Sequence, residues 1–92
     1  MRKSGKSKFD LAVINLVKEI REKKELSQDD LADFLDTTRG YIGQVESPHT
    51  RAKYNLNHLN RLALEMKCSP KDFLPKDPFM EIVKSDRKKQ KK

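Results

Sequence analysis

The stretch "LSQDDLADFLDTTRGYIGQVESP", residues 26–48, decides the fold. Ser27 precedes Gln28, Asp29 and Asp30, the pattern of a helix N-cap followed by acids at the positive end of a helix. Asp30 stands where the partner of a capping box belongs. Leu31, Ala32 and Leu35 then form a buried stripe, which predicts a helix over 28–35. "DTT" (36–38) is a three-residue connection, and Thr38 caps a further helix over 39–46 that faces inward with Ile42 and Val45. That second helix carries two glycines, Gly40 and Gly43, and each costs about 1 kcal/mol of helix propensity relative to alanine. Two helices joined by so short a turn, the second with a polar outer face, describe a helix-turn-helix.

Working outward, Val13, Leu16, Val17 and Ile20 have helical spacing, predicting an amphipathic helix at about 10–24. On the other side, "SPHTRAKYN" (47–55) is a proline-bearing loop. Leu56, Leu59, Leu62, Ala63 and Met66 predict a fourth helix capped by Asn55. Ser69 and Pro70 open a short fifth helix bearing Phe73 and Leu74, since proline suits the first helical position. The expected fold is therefore all-α: five helices over residues 9–75, a basic arm at 1–8, and an apolar patch "FMEIV" followed by a basic segment over 76–92. Both ends are expected to be disordered.

The net charge of +7 sits at those ends. Residues 1–8 carry +4 from Arg2, Lys3, Lys6 and Lys8; residues 84–92 set six basic side chains against Asp86, a net of +5. The middle, 9–83, holds 11 basic and 13 acidic side chains, a net of −2. Bulk charge alone does not mark this middle as a nucleic-acid binder, and the ends read either as phosphate-seeking arms or as plain solubilising segments. A single cysteine, Cys68, excludes an intrachain disulfide and fits a reducing compartment. No apolar run is long enough for a membrane span, and none follows the basic N-terminus as a signal peptide requires. A cytoplasmic protein with no membrane partner is expected.

In detail, "IREKKELSQDDLADFL" and "TTRGYIGQVES" resemble the Cro/C1-type, XRE-like family of transcriptional regulators, with Arg21, Leu26, Ser27, Gln28, Leu31, Ala32, Leu35, Tyr41, Ile42, Gln44, Val45 and Glu46 in register. The likeness runs from about Val13 to Leu74. It implies a lambda-repressor-like domain that binds double-stranded DNA as a homodimer and presents helix 39–46 to the major groove. It also implies roles for single residues. Gln28 touches a phosphate or the edge of the half-site. Thr38, Arg39 and Gln44 meet base edges, where arginine suits guanine O6/N7 and glutamine suits adenine N6/N7. Tyr41, Arg51 and Lys53 reach phosphate oxygens. Arg21 and Glu46 match a pair that ties the first helix to the end of the third. Departures from the family pattern are Glu25 and Asp36 at two usual glycine positions, Gly40 at a position that often supplies a base-reading side chain, and Ser47-Pro48 in place of Asn/Arg-Gly. Gly40 and Gly43 are expected on the outward face, where bare backbone can approach DNA closely.

No other chemistry competes. His49 and His58 lack ligands at metal spacing, Cys68 reads as core, Ser27 reads as a cap, and "GYIGQ" is not followed by Gly-Lys-Ser/Thr. No enzyme activity, cofactor or metal is expected. Two regulator subtypes stay open, a phage or mobile-element repressor and an antitoxin with a toxin partner. The rival reading is a helical protein-interaction module without sequence-specific DNA binding, favoured by the −2 middle and the side-chain-free Gly40.

Overall fold

In a computed structural model, residues 5–80 are described, and the expectations of disorder at 1–4 and 81–92 lie outside them. Four α-helices follow one another: α1 (Lys8–Lys23), α2 (Gln28–Leu35), α3 (Arg39–Glu46) and α4 (Leu56–Met66). A turn of 3-10 helix, Pro70–Phe73, closes the domain. Among the described residues there is no strand.

Each start has a local cause. Ser27 Oγ accepts from the Asp30 amide at 3.0 Å, while Asp30 Oδ2 accepts from the Ser27 amide at 2.7 Å. Thr38 Oγ1 accepts from the Tyr41 amide at 3.1 Å. Asn55 and His58 form a reciprocal box in which His58 Nδ1 accepts from the Asn55 amide. The first helix begins at Lys8, two residues earlier than expected, because Ser7 and Asp10 make another such box. That cap lies inside the basic run, which reads as an arm by charge alone.

The ends follow a second rule. Glu25, Asp36 and Lys67 take left-handed φ values of 57°, 58° and 54°. The amide after each reaches back to Arg21, Ala32 and Ala63 respectively at 2.9–3.0 Å, and the amide of each to Glu22, Asp33 and Leu64. These are Schellman closures made without glycine, at a cost of about 1–2 kcal/mol per ordinary residue and less for Asp. The end of α3 differs. Ser47 precedes Pro48, whose ring disfavours helical backbone before it, and takes φ −82°, ψ 132°.

Phe73, Leu31, Ile42, Leu62, Val17 and Val45 are fully buried, with Val13, Ala32, Leu59, Ala63 and Met66 around them. Ala32 lets α2 and α3 pack closely, and Phe73 carries the 3-10 turn into the same core. Three expectations change. Ile14 is buried where Leu16 is only half-buried, because α1 is rolled so that the 13–14–17 edge faces inward. Leu56 is 80% exposed: as the first residue of α4 it precedes the turn that meets the core. The fifth helix is a single 3-10 turn that leaves Leu74 exposed, since Leu74 precedes Pro75 and is held extended at φ −108°, ψ 137°. Cys68 is half-buried at the rim of the core. Of "FMEIV", Phe79 meets Phe9 edge-to-face at 6.0 Å and Met80 is exposed; residues 81–83 lie outside the described part.

Candidate nucleic-acid interface

A buried ion pair sets the position of α3. Arg21 Nε and Nη2 donate to Glu46 Oε2 and Oε1 at 2.9 and 3.0 Å, while Nη1 donates to the Leu26 carbonyl at 2.9 Å. Gln28 Nε2 donates to the same Glu46 Oε1 at 2.9 Å. One carboxylate thus gathers α1, α2 and α3, with nearly all of its and Arg21's surface removed from water. Buried guanidinium and carboxylate are tolerable only when their hydrogen bonds are filled, as these are. The Tyr54 hydroxyl, buried close by, has no hydrogen-bond partner among the described residues. Burial first, and then the Glu46 charge, pushes its ionisation far up, so it stays neutral.

A second knot holds the loop after α3. The Tyr41 hydroxyl donates to the Lys53 carbonyl at 2.6 Å, and burial raises the Tyr41 pKa above its ordinary value. The His58 ring stands edge-on to both Tyr41 and Tyr54 at 5.9 and 6.0 Å. Burial lowers the His58 pKa, consistent with its neutral Nδ1 accepting the Asn55 amide. Lys53 Nζ meets Asp10 Oδ2 at 3.0 Å. Burial alone would raise the Asp10 pKa, but the Ser7 amide and the Lys53 ammonium outweigh it and hold that carboxyl below its ordinary value.

The nine residues singled out from sequence divide accordingly. Thr38, Gln28, Tyr41 and Lys53 all have partners inside the protein: a helix cap, Glu46, the Lys53 carbonyl and Asp10 respectively. Arg39 and Gln44 are exposed on α3, and among the described residues neither side chain has an internal partner. Arg51 is exposed on the following loop, beside Gly5. Gly40 is exposed, and a Cβ there would meet Thr38 Oγ1 at an ordinary 3.8 Å. Gly43 is half-buried instead of fully outward, facing Gln28 Oε1 at the α2–α3 crossing. Packing inside the protein therefore demands neither helical glycine.

Sequence reasoning missed Lys6 and Thr50. Lys6 Nζ donates to the Gln44 and Val45 carbonyls at 3.2 and 2.9 Å, to the Ser47 carbonyl, and lies 3.4 Å from Thr50 Oγ1. Thr50 Oγ1 itself donates to the Gln44 carbonyl. The Lys6 contacts span about forty residues of chain, and the one local signal for them was the missing glycine after Glu46. Among the described residues no three His, Cys, Asp or Glu side chains group as a metal site, and no helix is long and apolar enough to cross a membrane.

Comparisons with known proteins agree with this architecture. The helix-turn-helix family model matches residues 17–73, more than half of the chain. Among solved structures, the restriction-modification controller protein C.AhdI from Aeromonas hydrophila is similar at 29% identity, with a TM-score of 0.59 over 71% of this chain and 97% of that one. A structure of FeII HppE in complex with substrate aligns at 23% identity and a TM-score of 0.61, covering 72% of this chain and 36% of that one. That second likeness is one of fold. A search of curated protein sequences found no match. With an α2–turn–α3 unit braced by Arg21 and Glu46 and a family match across it, the chain belongs to the Cro/C1-type helix-turn-helix family of DNA-binding transcriptional regulators.

Proposed function

We infer that this chain reads a specific DNA sequence in the major groove with α3 and represses transcription there. The observation that carries the reading is the contrast along α3 and its loop. Thr38, Tyr41 and Lys53 are engaged inside the protein, whereas Arg39 and Gln44 lie on the exposed face of α3 with no internal partner among the described residues. Arginine and glutamine are the side chains that pair bidentately with guanine and adenine edges. Arg51 supplies a phosphate contact that positions without reading. Binding alone does the work: no catalytic step, cofactor or metal enters, and the protein acts in the cytoplasm.

A homodimer on half-sites about one helical turn apart completes the reading. Leu56 and Leu64 of α4, 80% and 71% exposed, supply apolar surface for the pairing, as do Phe79 and Met80. The likeness to a restriction-modification controller adds a controller of that kind to the phage-repressor and antitoxin alternatives. The second reading, a protein-interaction module, rests on the net charge of −2 over residues 9–83.

Selection from random duplexes with purified protein decides between them. Recovery of a palindromic consensus supports the regulator; no enrichment even at low salt removes it. In the Arg39→Ala, Gln44→Ala double variant, discrimination falls by about 1–3 kcal/mol at one or two base positions per half-site. Unaltered preference would mean that another face reads the DNA.

A further inference from the structure

We propose that Lys6 is a positioning residue for DNA recognition: its ammonium clamps the C-terminal end of α3 and so holds Gln44 in place, without itself touching DNA. The inference rests on the reading of α3 as the DNA-contacting helix. It begins with how the helices end. The first, second and fourth close on themselves with a left-handed residue, at Glu25, Asp36 and Lys67. The third does not, because Pro48 keeps Ser47 extended. The Ser47 amide still donates to the Gly43 and Gln44 carbonyls at 3.1 and 3.2 Å, but Pro48 has no N–H to make the second, longer bond that closes the other three helices.

Lys6 fills that gap. Three N–H donors of one ammonium face the carbonyls of Gln44, Val45 and Ser47, and Thr50 Oγ1 braces the Gln44 carbonyl from the other side. A positive charge at a helix C-terminus is also the favourable sign for the helix dipole. The segment that delivers Lys6 is shaped for the task. Gly5 turns at φ +82°, and a Cβ there would stand 3.3 Å from Arg51 Cγ. Immediately afterwards Ser7 caps α1, fixing where Lys6 leaves the chain.

The clamp matters because α3 is weak by itself. It has eight residues and two glycines, whereas isolated helices shorter than about 12–15 residues are marginal even in alanine-rich sequences. Fraying from its C-terminal end passes Glu46 and Val45 and reaches Gln44 before Arg39, and among the described residues these two are the exposed side chains of the face without an internal partner. The carbonyl that Lys6 and Thr50 both hold belongs to that same residue. Anchoring the backbone of Gln44 limits the cost of ordering its side chain on the base.

Lys6→Met, Lys6→Arg and Thr50→Val test this in the full chain, using the duplex recovered by selection with the wild-type protein. Affinity is measured across a potassium chloride series, and amide exchange is followed at Val45, Glu46 and Ser47. Lys6→Met is expected to weaken specific binding several-fold at every salt concentration with the log–log salt slope unchanged, and to speed exchange at those amides. Lys6→Arg restores both, and Thr50→Val gives a smaller loss of the same kind. A slope shallower by about 0.9 with Lys6→Met would place Lys6 on a phosphate and overturn the proposal. Unchanged affinity would overturn it as well. If the wild-type chain selects no duplex, the DNA-binding reading itself fails and takes the role in recognition with it. Exchange then reports separately whether Lys6 holds the helix end.

Discussion

Gly40→Ala separates two explanations for a glycine in α3, the helix proposed to read DNA. The backbone at Gly40 is helical, and an added Cβ meets nothing nearer than Thr38 Oγ1 at 3.8 Å, so the methyl group enters without strain. The gain is the propensity difference, about 1 kcal/mol. In a domain this size that raises Tm by about 4–8 °C. If the bare backbone approaches the groove, the same methyl holds it off and binding weakens while folding tightens. Gly43→Ala is the internal control. Its Cβ faces Gln28 Oε1, not open solvent, so the stability gain is similar and DNA affinity stays constant. Thermal unfolding by circular dichroism and fluorescence anisotropy on the selected duplex measure the two effects. A Tm that fails to rise refutes the propensity argument. A Tm that rises with affinity unchanged at Gly40 refutes close approach and leaves glycine as merely tolerated.

Three further outcomes follow from the caps and the buried pair. Lys67→Gly relieves left-handed backbone at φ 54° and, after the added freedom of the unfolded chain, stabilises by about 0.5–1 kcal/mol, read as a higher urea midpoint at constant m. Glu46→Leu strands the Arg21 guanidinium at 9% exposure and costs about 3–5 kcal/mol; adding Arg21→Met recovers much of it, which a double-mutant cycle in urea detects. His58 has a folded pKa below its ordinary 6.5, so its contribution is full above about pH 6.5 and is lost as pH falls through the lower folded value. A pH series of urea midpoints should therefore slope less in His58→Gln than in the wild type over that acid range.

The parts of the fold that were legible share one property: their causes lie within four residues in sequence. Ser27, Asp30 and Thr38 set the starts of α2 and α3, and their expected spans, 28–35 and 39–46, coincide with the observed helices. Asp36, which stands at a usual glycine position of the family, adopts left-handed backbone at φ 58°. Leu56 and Leu74 misled because periodicity says which side of a helix a residue lies on, not whether the core extends that far. The interface was harder to read for the same reason. That Tyr41 binds the Lys53 carbonyl, or Lys53 binds Asp10, depends on packing between distant segments, and residue type alone made both look available to phosphate. Pro48 was visible as a departure, but its consequence is a contact between Ser47 and Lys6, 41 residues apart.

That internal engagement of cations bears on where DNA affinity comes from. Arg21 is committed to Glu46, Lys53 to Asp10 and Arg61 to Glu65, while Lys6 lies against helix carbonyls. Among the described residues around α3 this leaves Arg39 and Arg51 to meet phosphate or base edges. If both neutralised phosphates, they would contribute a salt slope of only about −1.8 per chain, since each contact adds about −0.9. The middle of the chain, at −2 overall, opposes any longer-range attraction. Residues 84–92, with six basic side chains, are then the main reserve of positive charge. Removing them should make the slope shallower and lower non-specific affinity, while preference among operator variants is retained, because these charges read no base. The assay is anisotropy across a salt series with specific and scrambled duplexes. An unchanged slope would assign residues 84–92 to solubility and require the phosphate contacts to come from the basic residues 1–8 or from the helical body. A lost preference would instead make them part of the reading surface, and Arg39 and Gln44 insufficient by themselves.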